Sequence, residues 1–183
     1  MGENNYITIC IACHYPYLQN LEVLLKSINE SSLLPHECII GLSETNEELA
    51  NQLQKDLNCK YNFNIIISSK INRCNQAENR NRAISLAKTK YITICDSDDI
   101  VHKDRLKIVY NLMENTDCLS LLHGFIRPED KDKDKDKKNK NQILNDWKIN
   151  ENINIYNGIY LYDKMITTEG TQIHLSLDCH HAY

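Results

Sequence analysis

Asp96, Asp98 and Asp99 follow directly on the apolar run "YITIC" at 91–95. Like charges this close repel, and burying them raises their pKa unless a cation compensates. If the run is a strand, Asp96 and Asp98, at i and i+2, project to the same side of it. Such a pair suits a hard divalent cation, Mg²⁺ or Mn²⁺, which takes one or two carboxylates and fills its other sites with phosphate oxygens and water. The same residues also read as an acidic turn in which Asp99 caps the following helix. A second polar group, Asp178, His180 and His181, lies near the chain end in "HLSLDCHHAY". It reads either as further site chemistry or as a polar terminus. The C-x-x-C of "CIAC" (10–13) falls on a strand-like run. Its two thiols then point to opposite faces, which suits neither zinc nor a redox pair.

The elements that must position these groups alternate. "YITICIAC" (6–13), "HECIIGLS" (36–43), "YNFNIIISS" (61–69) and "YITIC" (91–95) are β-branched, apolar runs of strand length. Between and after them come helical patterns. "LQNLEVLLKSI" (18–28) spaces Leu18, Leu21, Leu24, Leu25 and Ile28 along one face. "NEELANQLQKDL" (46–57) is capped by Thr45 or Asn46, and "NQAENRNRAISLAK" (75–88) offers Ala77, Ile84, Leu86 and Ala87 for packing. "KDRLKIVYNLME" (103–114) is the fourth helix. Four strand–helix repeats predict an α/β fold with a mainly parallel sheet flanked by helices. In such sheets ligands bind beyond the carboxyl ends of the strands. "CHYP", "LSET" and "DSDD" all fall at those ends. Two carboxylates at that edge are suited to a metal–diphosphate.

Composition narrows the classes. A chain of 183 residues with 42% hydrophobic and 25% charged residues suits one soluble domain. A formal net charge of −4 gives no electrostatic reason to expect nucleic acid. No apolar stretch approaches the roughly 20 residues of a membrane span, and "MGENNYITIC" lacks the pattern of a signal peptide. Cys10, Cys38, Cys95 and Cys118 sit inside apolar runs, as buried thiols of a reducing compartment do. The expectation is a cytoplasmic protein of one domain, 1–183, with "PEDKDKDKDKKNKNQ" (128–142) as a low-complexity surface insertion. "CLSLLHGFI" (118–126) reads as a fifth strand.

The stretch "NRCNQAENRNRAISLAKTKYITICDSDDIVHKDRLKIVYNLM" (72–113) resembles the central signature of nucleotide-sugar glycosyltransferases of family 2, which have the GT-A fold. Members show an Ala-Arg-Asn-x-Gly-Ile helix, a Tyr-Ile strand, Asp-x-Asp-Asp and a Leu-rich helix. Here the segments read "NRNRAI", "KYITIC" and "DSDD", and the order is unbroken over residues 6–115. The resemblance implies a metal-dependent, inverting transfer of sugar from a nucleoside-diphosphate donor, a UDP-sugar favoured, to an acceptor hydroxyl. The acceptor, whether glycan, protein or lipid, is left open. It places Asp96 on the ribose or the metal, Asp98 on the metal with Ser97 between them, and Arg80 near base and phosphates. Ala12, Cys13, His14 and Tyr15 match the base-binding loop, with His14 at the aromatic position. The family's Asp-Asp-Gly-Ser run is replaced by "GLSET", so Ser43 or Glu44 would stand in at the base edge. The family's downstream acidic pair has no counterpart; Asp178 is the remaining candidate base, and His180 or His181 a candidate metal ligand in a shortened acceptor region. Two rivals remain. One is a nucleotide-sugar-binding module of the same fold without catalysis. The other is a phosphohydrolase using Asp96 as nucleophile, although that chemistry normally follows the first strand.

Overall fold

β1 (Ile7–His14) is the strand around which the rest is arranged, buried along all but its last residue. The computed structural model describes residues 7–115 and the backbone of 120–121 and 180–181, all within one compact unit of the chain. β1 pairs in parallel with β2 (Glu37–Ser43) on one side and with β4 (Tyr91–Asp96) on the other. β3 (Asn64–Lys70) extends the sheet beyond β2, giving the order β3-β2-β1-β4. The chain winds one way from β1 to β2 and β3, then crosses back to β4. The topological switch point therefore lies between β1 and β4, where α/β sheets open a crevice for ligands. Ala12 stands beside Asp96 in that register.

Strand alternation divides the buried residues between the two faces. Ile7, Ile9, Ile11 and Cys13 join Cys38, Ile40, Leu42 and Cys95 in the larger core. α1 (Leu18–Asn29) covers this core with Leu21, Leu24, Leu25 and Ile28, the apolar stripe its spacing predicts. α4 (Arg105–Asn115) adds Leu106, Val109 and Met113. Cys10, Ile39 and Ile92 face the other way, where Ala83 of α3 (Gln76–Ile84) packs on them. The helix ends carry their own signals. Asn46 caps α2 (Glu47–Lys60) by accepting from the Leu49 amide at 2.8 Å, and Asn75 caps α3 by accepting from the Glu78 amide at 2.8 Å.

α3 lies unusually close to the sheet. A Cβ added to Gly41 would come within 2.0 Å of the Asn79 carbonyl oxygen, so only glycine admits the helix there. This proximity brings the polar side chains of α3 to the strand ends.

Several boundaries differ from expectation. The third strand begins at Asn64, because residues 61–63 form a bend in which Tyr61 stacks on Phe63 instead. α3 stops at Ile84, short of residue 88. Ala77 and Leu86, expected to pack, are exposed; Asn79 and Ala83 form the buried seam. α4 starts at Arg105, so Asp99 does not cap it. A two-residue strand, β5 (Ser120–Leu121), pairs antiparallel with β6 (His180–His181). The expected insertion at 128–142 lies outside the described residues. Among those residues no helix is long and apolar enough to cross a membrane.

Candidate functional site at the carboxyl ends of the strands

β4 ends at Asp96, and the chain turns at once. The Asp99 amide donates to the Asp96 carbonyl at 3.1 Å, while Asp99 Oδ2 accepts from the Asp96 amide at 3.1 Å. Asp99 thus closes a turn on the strand end. The pleat does not continue through Ser97 and Asp98, so the turn, not strand alternation, relates the two aspartates. Asp96 and Ser97 are half-buried and Asp98 is exposed. Ser97 reaches the Cys13 thiol, tying this turn to the end of β1. Burial is the main reason that thiol is pushed up to about 11.

α3 supplies the partners of Asp96. Gln76 Nε2 donates to Asp96 Oδ1 at 2.8 Å, and Arg80 Nη2 pairs with the same oxygen. Oδ2 takes no hydrogen bond among the described residues. One turn separates Gln76 from Arg80, so both lie on the helix face aimed at the switch point. Arg80 Nε is buried and has no hydrogen-bond partner among the described residues.

Asp96 and Asp98 are hard oxygen donors, the class that Mg²⁺ and Mn²⁺ prefer. Among the described residues no group of three His, Cys, Asp or Glu side chains is gathered as a complete cage. Two carboxylates are nonetheless the complement such an ion takes when phosphates and water fill the rest. With Oδ2 open and Asp98 facing solvent, the residues fit that group.

A second set of contacts lies at the ends of β1 and β2. Ser43 is fully buried, and its Oγ is 2.7 Å from His14 Nδ1. Asn79, also fully buried, donates from Nδ2 to Ser43 Oγ at 3.2 Å and to the Cys13 carbonyl at 3.1 Å. Arg82 holds the other end of that amide, Nη2 donating to Asn79 Oδ1 at 2.6 Å and to the Leu42 carbonyl at 3.2 Å. Glu44 adopts a φ of 66°, a left-handed conformation that costs about 1 kcal/mol or more outside glycine. Its carboxylate lies 3.3 Å from His14 Nδ1. The His14 ring meets Tyr17 edge-on at 6.2 Å.

The structure thus brings together His14, Ser43 and Glu44 in one group and Arg80, Asp96 and Ser97 in another, with Asp98 beside the second. Ala12 and the Cys13 side chain are buried beneath, while Tyr15 is exposed at the rim. Asp178 and the side chain of His180 lie outside the described residues. Gln76, Asn79 and Arg82 were not singled out from sequence. The signal for Gln76 and Asn79 is the spacing 76, 79, 80, 83, a helical seam that carries polar residues where it meets the sheet, and Arg82 stands at i+3 from Asn79.

A family model described as glycosyl transferase family 2 matches residues 8–171. An uncharacterized glycosyltransferase of Methanocaldococcus jannaschii is 28% identical over 120 residues, covering 66% of this chain and 41% of its own length. Solved structures are also similar in fold, among them two that hold sugar nucleotides. S. aureus TarS 1–349 in complex with UDP-GlcNAc matches at a TM-score of 0.52 and 19% identity, over 66% of this chain and 37% of that one. The mannosyltransferase PcManGT from Pyrobaculum calidifontis, in complex with GDP-Man and Mn²⁺, matches at 0.53 and 17%, over 68% and 36%. The fold is GT-A. The chain spans 41% of that curated relative and 36% to 37% of these two structures.

Proposed function

The chain belongs to glycosyl transferase family 2, and on that premise we propose that it binds a nucleoside-diphosphate sugar and transfers the sugar to an acceptor hydroxyl. The observation that carries this reading is the convergence of Gln76 and Arg80 on Asp96 at the switch point. A half-buried carboxylate held there by a fixed cation would accept hydrogen bonds from the donor's ribose hydroxyls, while that cation would face its diphosphate.

Arg80 carries a permanent, planar charge and keeps 27% of its side-chain surface open, so it can face the donor phosphates while orienting Asp96. Asp96 and Asp98 are the residues that would hold Mn²⁺ or Mg²⁺, which when bound neutralises charge on the departing diphosphate. His14, Ser43 and Glu44 border the place of the base. The acceptor oxygen bonds to the anomeric carbon as the bond from that carbon to the diphosphate oxygen breaks. Attack from the face opposite the diphosphate inverts the centre, and the acceptor proton passes to a general base, for which Asp178 is the candidate. Holding donor and acceptor in line contributes much of the rate.

Incubation with a panel of UDP- and GDP-sugars, Mn²⁺ and candidate acceptors tests the reading through release of free nucleoside diphosphate. Turnover of at least one donor is expected. Donor binding with no release under any acceptor would instead support a non-catalytic module, and no binding at all would remove the proposal.

A further inference from the structure

β3 is terminal in the order of the four central strands, and among the described residues no strand pairs with its outer edge. The run 61–69 that contains most of it holds no charge, Pro or Gly. With three consecutive isoleucines, it has the composition that adds readily to another strand. Lys60 and Lys70 bracket the run, each in an ion pair, with Glu22 and Glu78 respectively, so charge stands at its ends and not along it. The isoleucine side chains are already engaged: Ile65 is fully buried, and Ile66 and Ile67 pack on the two sides of the sheet. What the edge offers is backbone. In a parallel ladder each residue turns both backbone groups to one edge, and successive residues alternate. Ile65 and Ile67 therefore share an edge, and α2 reaches it. Asn58 Oδ1 accepts from the Ile65 amide at 2.8 Å, and Asn58 Nδ2 donates to the Ile65 carbonyl at 2.9 Å. One turn earlier on the helix, Gln54 Oε1 accepts from the Ile67 amide at 2.7 Å. A backbone amide has a single hydrogen, so both donors are committed to side chains of α2. The Asn58 amide bonds both backbone groups of Ile65, as a residue of a neighbouring strand does. Asn58 is exposed in the last turn of α2, where Asn is a weak helix former; neither burial nor propensity accounts for it there.

We infer that Gln54 and Asn58 guard the outer edge of β3 against addition of a further strand, and that the strand which adds once the guard is removed is β3 of a second copy of this chain. A second copy fits because two such edges present identical groups. They pair antiparallel about a two-fold axis, with no charges opposed along the uncharged run. Opening the edge takes only rotation of two side chains, with α2 itself left folded. The inference is independent of the donor-binding reading, since neither residue is among the groups that converge on Asp96.

Full chains carrying Gln54→Ala and Asn58→Ala, together or singly, test this against Leu53→Ala, which loosens α2 on the core but leaves both amide side chains in place. In dilute solution, hydrogen exchange at the Ile65 and Ile67 amides should be at least about tenfold faster in the double variant than in the wild type. Ile66, which faces β2, should change less. Each single variant should show the faster exchange at its own partner, Ile65 for Asn58→Ala and Ile67 for Gln54→Ala. As concentration rises through the micromolar to millimolar range, sedimentation should show the double variant gaining mass beyond both the wild type and Leu53→Ala. In the associated species the two amides should regain their protection. A double variant that keeps the wild-type mass overturns the guard and leaves the contacts as anchors of α2. So does association matched by Leu53→Ala, or association without renewed protection of Ile65 and Ile67. Should the double variant not fold, single variants whose partner amides exchange at the wild-type rate overturn it equally.

Discussion

Asp96 is engaged by two donors, yet the ion pair with Arg80 lies near the surface, with side-chain exposures of 27% and 34%. A pair that open is worth little to folding, about 1 kcal/mol or less once solvent screening is counted. In the proposed reaction its value is larger, because Asp96 would help hold the metal that offsets charge on the departing diphosphate. Asp96→Ala should therefore lower donor turnover about 100-fold or more while moving the unfolding free energy by no more than about 1 kcal/mol. Parallel urea titration and nucleoside diphosphate release would check this split; equal loss of both would show Asp96 to be structural. Asn79 behaves in the opposite way. It is fully buried and joins Arg82, Cys13 and Ser43. Asn79→Ala leaves several polar atoms unpaired at once and should cost about 2–4 kcal/mol in urea unfolding.

At the scale of elements, the seating of α3 decides whether the site exists. Gly41→Ala drives a Cβ into the Asn79 carbonyl, which is backbone and cannot swing away. The expected loss is about 3 kcal/mol in stability, accompanied by weakened nucleotide binding because α3 carries Gln76 and Arg80. α1 provides a simpler contrast on one helix. Leu24→Ala, at a fully buried position, should cost about 2–5 kcal/mol, whereas Val23→Ala, 53% exposed, should stay within about 0.5 kcal/mol. The same elements show what was legible beforehand. Apolar periodicity placed α1 and all four central strands, because their burial is driven by side-chain transfer and leaves a regular trace. On α3 it succeeded only in part, since Ile84 and Ala87 pack on the second core but Ala77 and Leu86 do not. Ala77 and Leu86 looked like packing residues, but the helix buries Asn79, whose cost is met by hydrogen bonds that no single-residue propensity encodes. The turn at Asp96–Asp99 was misjudged for a related reason. Alternation holds only while the pleat continues, and reciprocal bonding by Asp99 ends it at Asp96.

For the molecule as a whole, the sheet's burial sets its response to alkali and to thiol reagents. Burial, with a lesser push from Glu37 and Cys95, raises the Cys10 thiol from the usual 9.0 to about 12. Cys13 is raised to about 11 and Cys38 well above its usual range, in both cases chiefly by burial. Each folded value lies above the unfolded one, so the associated stability is complete below pH 9 and is lost as pH rises from 9 towards 11–12. The urea midpoint should hold steady up to about pH 8.5 and then fall, with reversibility on return to neutral pH as the check. At pH 8 a thiol reagent mapped by mass spectrometry should label exposed Cys59 far faster than Cys10, Cys13, Cys38 or Cys95. Whole-chain organisation was legible in another sense. The resemblance over 6–115 identified the family and fold before any geometry. The acceptor side was not, since Asp178, its candidate base, lies outside the described residues.

The central claim is that a sugar nucleotide is gripped at the carboxyl end of β4 through Asp96 and Asp98. The measurement closest to it is calorimetric titration of UDP- and GDP-sugars into the full chain with Mn²⁺, repeated on the Asp96→Ala/Asp98→Ala double variant. Saturable heat in the wild type that disappears in a folded double variant is the expected result. Identical isotherms for the two proteins would contradict the account.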